Sequence, residues 1–414
     1  MLFVYRLIIN FIVLISPIII FFRLLKKKED PTRFKEKFCI FSKKRVKGNL
    51  IWFHGASVGE ILSVIPLIEK LEKKKEIKQI LITSNTFSSS KIISSLKLKK
   101  TIHQFFPIDT NYHTQKFLDY WHPSSAIFID SEIWPNMILN IKKRAIKLIL
   151  LNGRITKKSF NRWKRFNLTA KNLFQKFDIC LTSNNETKKY LKFFKAKKIK
   201  YIGNLKFSQV ENEANKLNYK IKKYLKLKTI WCAASTHDTE ELLCATIHKK
   251  LKAKYKDLLT IIIPRHVERK KTIINQLKRL NLNIHIHSSG KKVPNNTDIY
   301  LVDSYGKTKS FFKICKTVFL GGSMIEHGGQ NPIEAARYGC KILHGKNTWN
   351  FKEVYNLLNR YNVTDKINNL NQMKNRLESI FDNKNTSKNI KNKIDNLGDK
   401  ILRTTLKEIK SFII

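Results

Sequence analysis

NLIWFHGASVGEILSVIPLIEKL (Asn49–Leu71) is the stretch that decides the fold class. Asn49–His54 is a short apolar run that reads as a strand. A glycine turn follows, and then Ile61, Leu62, Val64, Ile65, Ile68 and Leu71 recur at helical spacing on one face. A doubly wound α/β domain places such a strand, turn and helix at the carboxyl edge of its sheet, where ligands bind. Ser57 and Glu60 also fit the pattern S-x-x-E. Glu60 is therefore either a helix-capping carboxylate or a general base held at the mouth of a sheet, and the residues alone leave both open.

The pattern returns in VFLGGSMIEHGGQNPIEAA (Val318–Ala336). An apolar strand breaks into Gly321-Gly322-Ser323 and then Gly328-Gly329, and a helix is predicted to begin at Asn331-Pro332. Glycines let backbone N–H groups approach a phosphate, and a helix start adds donors. Gly321, Gly322, Ser323, Gly328, Gly329 and Asn331 are thus candidates for binding a nucleotide, with Glu334 placed to accept from a ribose diol. The plain alternative is that Asn331 and Glu334 form only a capping box.

Further strand-like runs place the same unit along the chain. In the first half they are Gln79–Thr83, Ala126–Asp130, Lys147–Asn152, Asp178–Thr182 and Ile199–Gly203. In the second they are Thr229–Ala234, Leu259–Ile263, Ile284–His287, Ile299–Val302, Thr317–Leu320 and Lys341–Leu343. Several chemically able residues fall at strand ends. Glu132, in Asp130–Asn136, could position a hydroxyl or assist the base, or simply pair with a lysine. Lys206 is a phosphate clamp or one surface lysine among many. Arg265 has the bidentate geometry suited to phosphate. The expected fold is α/β, with two Rossmann-like doubly wound domains and an N-terminal helix. The boundaries drawn are 1–28 for a membrane anchor, 29–215 and 216–385 for the two domains and 386–414 for a helical tail.

A chain of 414 residues that is 42% hydrophobic can fill two such cores. The net charge of +50 favours anionic partners. Lysine is spread throughout, however, and no basic tract interleaved with aromatics marks a nucleic-acid platform, so no nucleic acid is expected. The six cysteines contain no C-x-x-C pair and read as buried thiols of a reducing compartment. Without a D-x-D or H-E-x-x-H pattern, neither metal nor cofactor is expected. Leu7–Phe22 carries no charge, and with Leu2–Tyr5 it reaches the ~20 residues of a span. Arg23 and Lys26–Lys28 follow, so the rest of the chain is expected on the cytoplasmic side. The segment reads as an uncleaved anchor, crossing the bilayer or lying in its interface. Residues 352–414 have helical spacing, and Asn383–Lys393 reads as a solvated Asn/Lys tract.

Taken together the motifs carry a resemblance. WFHGASVGE (Trp52–Glu60), DSEIWPN (Asp130–Asn136), NGRI (Asn152–Ile155), GNLKF (Gly203–Phe207), AASTH (Ala233–His237), PRH (Pro264–His266) and GGSMIEHGGQNPIE (Gly321–Glu334) stand in one collinear order. In this the chain resembles the 3-deoxy-D-manno-octulosonic acid (Kdo) transferases, glycosyltransferases of the GT-B fold. The resemblance implies CMP-Kdo as donor, a bisphosphorylated lipid A precursor (lipid IVA) as acceptor, no metal, and the cytoplasmic face of the inner membrane. It implies a cleft between the two domains, with the first, 29–215, binding the acceptor and the second, 216–385, the CMP-sugar. It also implies Glu60 as general base and Glu132 on the acceptor side. Gly55 and Ser57 would line the donor sugar pocket. Lys206, Arg265 and the Gly321–Asn331 loop would meet the donor phosphate, and Glu334 the ribose. Asn85–Ser90 and Lys307 depart from the family's pattern on the donor-side loops. The competing readings are a GT-B transferase of another nucleotide sugar, such as a UDP-hexosamine, and a membrane-tethered basic nucleic-acid-binding protein.

Overall fold

Short runs rich in Ile, Leu and Val, buried on both faces, favour parallel sheets covered by helices, and both sheets of this chain are parallel throughout. The computed structural model describes residues 1–96, 98–209, 217–383 and 386–413. By contacts the chain divides into two compact units, Met1–Val210 with Gly398–Ile414, and Glu211–Leu397. The first contains β1 (Asn49–His54), β2 (Ile77–Ser84), β3 (Thr101–Phe105), β4 (Ser125–Ile129), β5 (Lys147–Gly153), β6 (Ile179–Thr182) and β7 (Ile199–Tyr201). They form one seven-stranded sheet in the order β3-β2-β1-β4-β5-β6-β7. The second contains β8 (Thr229–Thr236), β9 (Leu258–Pro264), β10 (Ile284–Ile286), β11 (Ile299–Leu301), β12 (Thr317–Leu320), β13 (Lys341–His344) and β14 (Thr364–Lys366). Its order is β10-β11-β9-β8-β12-β13-β14.

These orders decide where ligands can sit. The winding reverses between β1 and β4 in one sheet and between β8 and β12 in the other. The loops at the carboxyl ends of those strands part there and leave a crevice. His54 pairs with Phe128 in the first sheet, and Ala234 with Leu320 in the second. The Glu60 and Glu132 loops therefore emerge side by side, as do the His237 and Gly321 loops. Trp52, Phe117, Phe128 and Phe174 fill one core, and Trp231, Ile262, Phe319 and Leu343 the other, all fully buried.

Several expectations need correcting. β3 escaped the sequence reading because its residues include His103 and Gln104, which are buried although polar. β14 is a polar edge strand, Thr-Asp-Lys. Of the tract read as solvated, residues 386–393 belong to a helix, Thr386–Ile413, with Ile390 and Ile394 buried, while residues 384 and 385 lie outside the described residues. That helix starts in the second unit and ends in the first. The helix expected at Asn331-Pro332 begins at Ile333 and runs only to Arg337, with Asn331 Oδ1 accepting from the Ile333 N–H at 3.2 Å. All six cysteines are free and buried.

Candidate functional site

In the first unit the turn after β1 holds Glu60 by its neighbours. Ser57 caps the helix Val58–Glu72, its Oγ accepting from the Glu60 N–H at 3.4 Å. The Glu60 carboxylate in turn accepts from the Ala56 N–H at 2.7 Å and the Ser57 hydroxyl at 2.9 Å. The capping contacts are thus real, and they also fix the carboxylate at the carboxyl edge of the sheet. Burial, then the charge of Glu132, pushes the Glu60 carboxyl above its ordinary value, against the hydrogen bond from Ser57. Gly55 packs tightly here, since a Cβ would lie 3.1 Å from Ile61 Cδ1 and 3.2 Å from Ile129 Cδ1.

Beyond β4, Asp130 takes a positive φ of 62°, uncommon for a residue other than glycine and costly unless the surroundings impose it. The turn it makes presents Glu132, whose Oε2 accepts from Trp134 Nε1 at 2.8 Å and lies 3.2 Å from His54 Nε2. His54 Nδ1 is 3.0 Å from Thr83 Oγ1, a pairing that fits a proton on Nε2. Burial alone would raise the Glu132 carboxyl, but His54 and Trp134 bring it net below the ordinary range. Burial lowers His54 in turn. Two neighbouring carboxyls are therefore pushed in opposite directions, the usual mark of an acid–base site. Burial also raises Asp130, opposed by Lys206 and Arg154. Lys206 Nζ stands 3.9 Å from Asp130 Oδ2, so this lysine is no lone surface cation. Sequence reasoning missed His54 and Asp130 as partners. The only signal was that both stand at strand ends beside the chosen carboxylates.

In the second unit one buried carboxylate organises the edge. Glu240, fully buried, accepts from the N–H groups of Gly322 at 2.7 Å, Ser323 at 3.1 Å, Met324 at 3.0 Å and His237 at 3.0 Å. Gly321 N–H goes to Ala234 O at 2.9 Å. This corrects the expectation that the N–H groups of Gly321–Ser323 are donors to a phosphate, because the protein already takes them. Gly321 is needed instead for close packing, since a Cβ there would lie 2.6 Å from Thr236 Cα. Gly328 has φ of 93°, and its carbonyl accepts from the Asn350 N–H at 3.1 Å. The Gly329 N–H bonds Gly322 O at 2.7 Å. The loop is a pre-set scaffold, not a flexible cradle. Glu240 was legible only as a helix-start acid in Ser235–Glu241.

Around this scaffold the structure gathers His237, His266 and His327. The His237 ring centroid lies 4.2 Å from that of His327 and 5.8 Å from that of His266. Burial, then the charges of His327, His266 and Arg265, pulls His237 down to about 4. Arg265 is exposed at the end of β9, its N–H bonded to Thr236 O at 2.9 Å. Among the described residues no group of three or more His, Cys, Asp or Glu is arranged to hold a metal. Glu334 is partly exposed and pairs with Lys309 at 3.3 Å. The structure thus groups Gly55, Ser57, Glu60, Glu132 and Lys206 in one unit. Arg265, the Gly321–Asn331 loop and Glu334 lie in the other.

Two doubly wound parallel sheets, each with a loop cluster at its switch point, give the chain a GT-B-type fold. The fold is similar to that of UDP-GlcNAc 2-epimerase from Neisseria meningitidis, with a TM-score of 0.58 at 14% identity over 87% of this chain and 100% of that one. The chain belongs to the 3-deoxy-D-manno-octulosonic acid transferase family. It is 34% identical to the transferase of that name from Rickettsia bellii over 92% of this chain and 90% of the relative. A probable mitochondrial 3-deoxy-D-manno-octulosonic acid transferase from Arabidopsis thaliana is 31% identical over 87% of this chain and 83% of its own length. The family model for the 3-deoxy-D-manno-octulosonic-acid transferase (kdotransferase) matches residues 32–209.

Proposed function

We propose that the chain transfers Kdo from CMP-Kdo to a lipid A precursor, lipid IVA, in lipopolysaccharide core synthesis at the cytoplasmic face of the inner membrane. The observation that carries the reading is the carboxylate pair at the β1–β4 switch point, with Glu60 raised and Glu132 lowered. A base with a raised pKa takes a proton from a hydroxyl more readily than an ordinary surface carboxylate does. Glu60 accepts the proton of the acceptor's primary hydroxyl as that oxygen attacks the anomeric carbon. The bond from that carbon to the CMP phosphate breaks, and the phosphate leaves with the electron pair. Attack opposite the leaving group inverts the anomeric centre. Glu132, held by His54 and Trp134, keeps its charge and orients the acceptor.

Charge on the departing phosphate is best met by groups already fixed in place. Arg265 is the second unit's cation for this, and on the first unit Lys206 stands 3.9 Å from Asp130 Oδ2. Gly321, Gly322 and Ser323 act by shape, keeping the loop close and rigid, while Gly328, Gly329 and Asn331 border the nucleotide. Glu334 accepts from the ribose hydroxyls, releasing Lys309. Gly55 and Ser57 line the donor sugar. The domain assignment follows, with acceptor on residues 29–215 and donor on 216–385.

The test is turnover of labelled lipid IVA with freshly made CMP-Kdo and chelator present, with wild type and Glu60→Gln side by side. Product from wild type alone, at a rate at least ~10³-fold above the variant, with equal thermal protection of both by CMP, is expected. Protection by UDP and not by CMP would move the donor to a different nucleotide sugar.

A further inference from the structure

The apolar helix Leu2–Leu25 has the length and composition of a membrane span. At about 1.5 Å per residue it extends some 36 Å. Both of its ends, however, are tied to the same folded unit. In its first turn Tyr5 Oη donates to Asp109 Oδ2 at 2.7 Å, and Arg6 Nε donates to Asn136 Oδ1 at 2.9 Å. Asp109 and Asn136 are buried beside the strand-end loops of the first sheet. In its last turn Arg23 Nε donates to Glu29 Oε2 at 2.8 Å, and Lys37 Nζ holds the other oxygen of Glu29 at 2.7 Å. The segment carrying Lys37 is itself fastened to the region after β3, with the Ile108 N–H donating to Lys37 O at 3.0 Å. Ile108 adjoins Asp109, so the two tethers converge on one stretch of chain.

A helix that crosses a bilayer puts its ends on opposite sides of a hydrocarbon layer about 30 Å thick. Here both ends bond polar groups of one water-soluble body, which cannot enter that layer. Ile9, Ser16 and Ile20 face inward and are buried. On the outward side Phe3, Leu7, Phe11, Leu14, Ile18 and Phe22 recur at intervals of three and four, each 55% or more exposed. A helix lying between a protein face and a lipid face is apolar all round without spanning anything. Exposed Lys26, Lys27 and Lys28 follow at its end, placed to meet acidic head groups as the apolar stripe enters the acyl boundary.

We propose that Leu2–Leu25 is an in-plane helix on an anionic bilayer surface, with both ends on the side of the catalytic units. This rests on the membrane reading above and makes it specific. Its partner is the lipid surface, not a second copy of the chain.

The test uses the full chain with a protease-cleavable tag placed ahead of Met1, expressed in bacteria. In inverted inner-membrane vesicles, which turn the cytoplasmic face outward, added protease should remove the tag. In spheroplasts the tag should survive. The reverse pattern would establish a spanning helix and overturn the proposal while leaving the anchor intact. Protein absent from the membrane pellet altogether would instead sink the anchor reading. The double variant Phe11→Glu/Leu14→Glu should pellet at least tenfold less with vesicles of phosphatidylethanolamine and phosphatidylglycerol. It should keep wild-type turnover of detergent-dispersed acceptor. Unchanged pelleting, or a Leu14→Cys variant that cross-links as a dimer in vesicle-free buffer, would count against the lipid surface.

Discussion

At the scale of single residues, the proposed base in the first unit is marked by opposing shifts, Glu60 raised and Glu132 lowered. On that proposal Glu60 must be ionised to act, so turnover should fall as pH drops through its raised pKa. The charge of Glu132 is the second cause of that rise, after burial. Glu132→Gln removes it, and the Glu60 pKa falls. The acid limb of the pH–kcat profile should therefore move to lower pH, even though the overall rate drops. An acid limb that stays in place would show that Glu132 does not act on Glu60 through its charge. In the second unit Glu240 carries a different load. Four backbone N–H groups converge on its buried carboxylate. Glu240→Gln turns an amide N–H₂ toward some of them, leaving buried donors unpaired at a cost of about 2–4 kcal/mol. A melting temperature lowered by several degrees, together with loss of CMP protection, is the expected result in a thermal-shift assay. Both Glu60 and Glu132 could be read from the sequence as strand-end acids. Glu240 could not, because three of its four partners lie 82 to 84 residues downstream and only the β8–β12 pairing brings them to it.

At the scale of elements, the returning helix Thr386–Ile413 shows how one small residue can fix a contact. A Cβ on Gly398 would lie 2.5 Å from Phe207 O and 3.0 Å from Ser208 Cα, both in the first unit. The backbone of the Leu205–Ser208 turn cannot give way as a flexible side chain would. Gly398→Ala should therefore lower stability by about 1–3 kcal/mol, although alanine is the better helix former. Denaturant melts of the two proteins would measure this, and a stabilised variant would mean the contact is slack. Lys206 sits on that same turn, so the substitution should also reduce turnover. The contacts that matter here join elements distant in sequence. Helical periodicity announced the helix but not the surface that it returns to.

At the scale of the whole molecule, the charge of +50 acts through solution electrostatics and leaves the fold alone. Attraction to an anionic surface is screened over about 8–10 Å at physiological salt, whereas apolar insertion is not. Binding to phosphatidylglycerol-containing vesicles should therefore weaken severalfold between about 50 and 500 mM salt and then level off at a salt-insensitive remainder. Co-sedimentation across that range checks it. Binding that vanishes entirely at high salt would mean the exposed stripe of the N-terminal helix contributes nothing.

The sequence by itself determined the α/β class, most of the strands, the apolar N-terminal helix and the strand-end acids, because period, glycine turns and capping patterns are local properties. The collinear motifs also pointed to the family, since their order along the chain is itself sequence. Only the tertiary structure decided that the N–H groups of Gly322 and Ser323 belong to Glu240 and that Glu132 is held by His54. It alone tied both ends of the N-terminal helix to one unit. Each of these depends on which groups are brought within about 3 Å across strands or helices far apart in the chain. Strand order in a parallel sheet sets that proximity, and no local pattern encodes it.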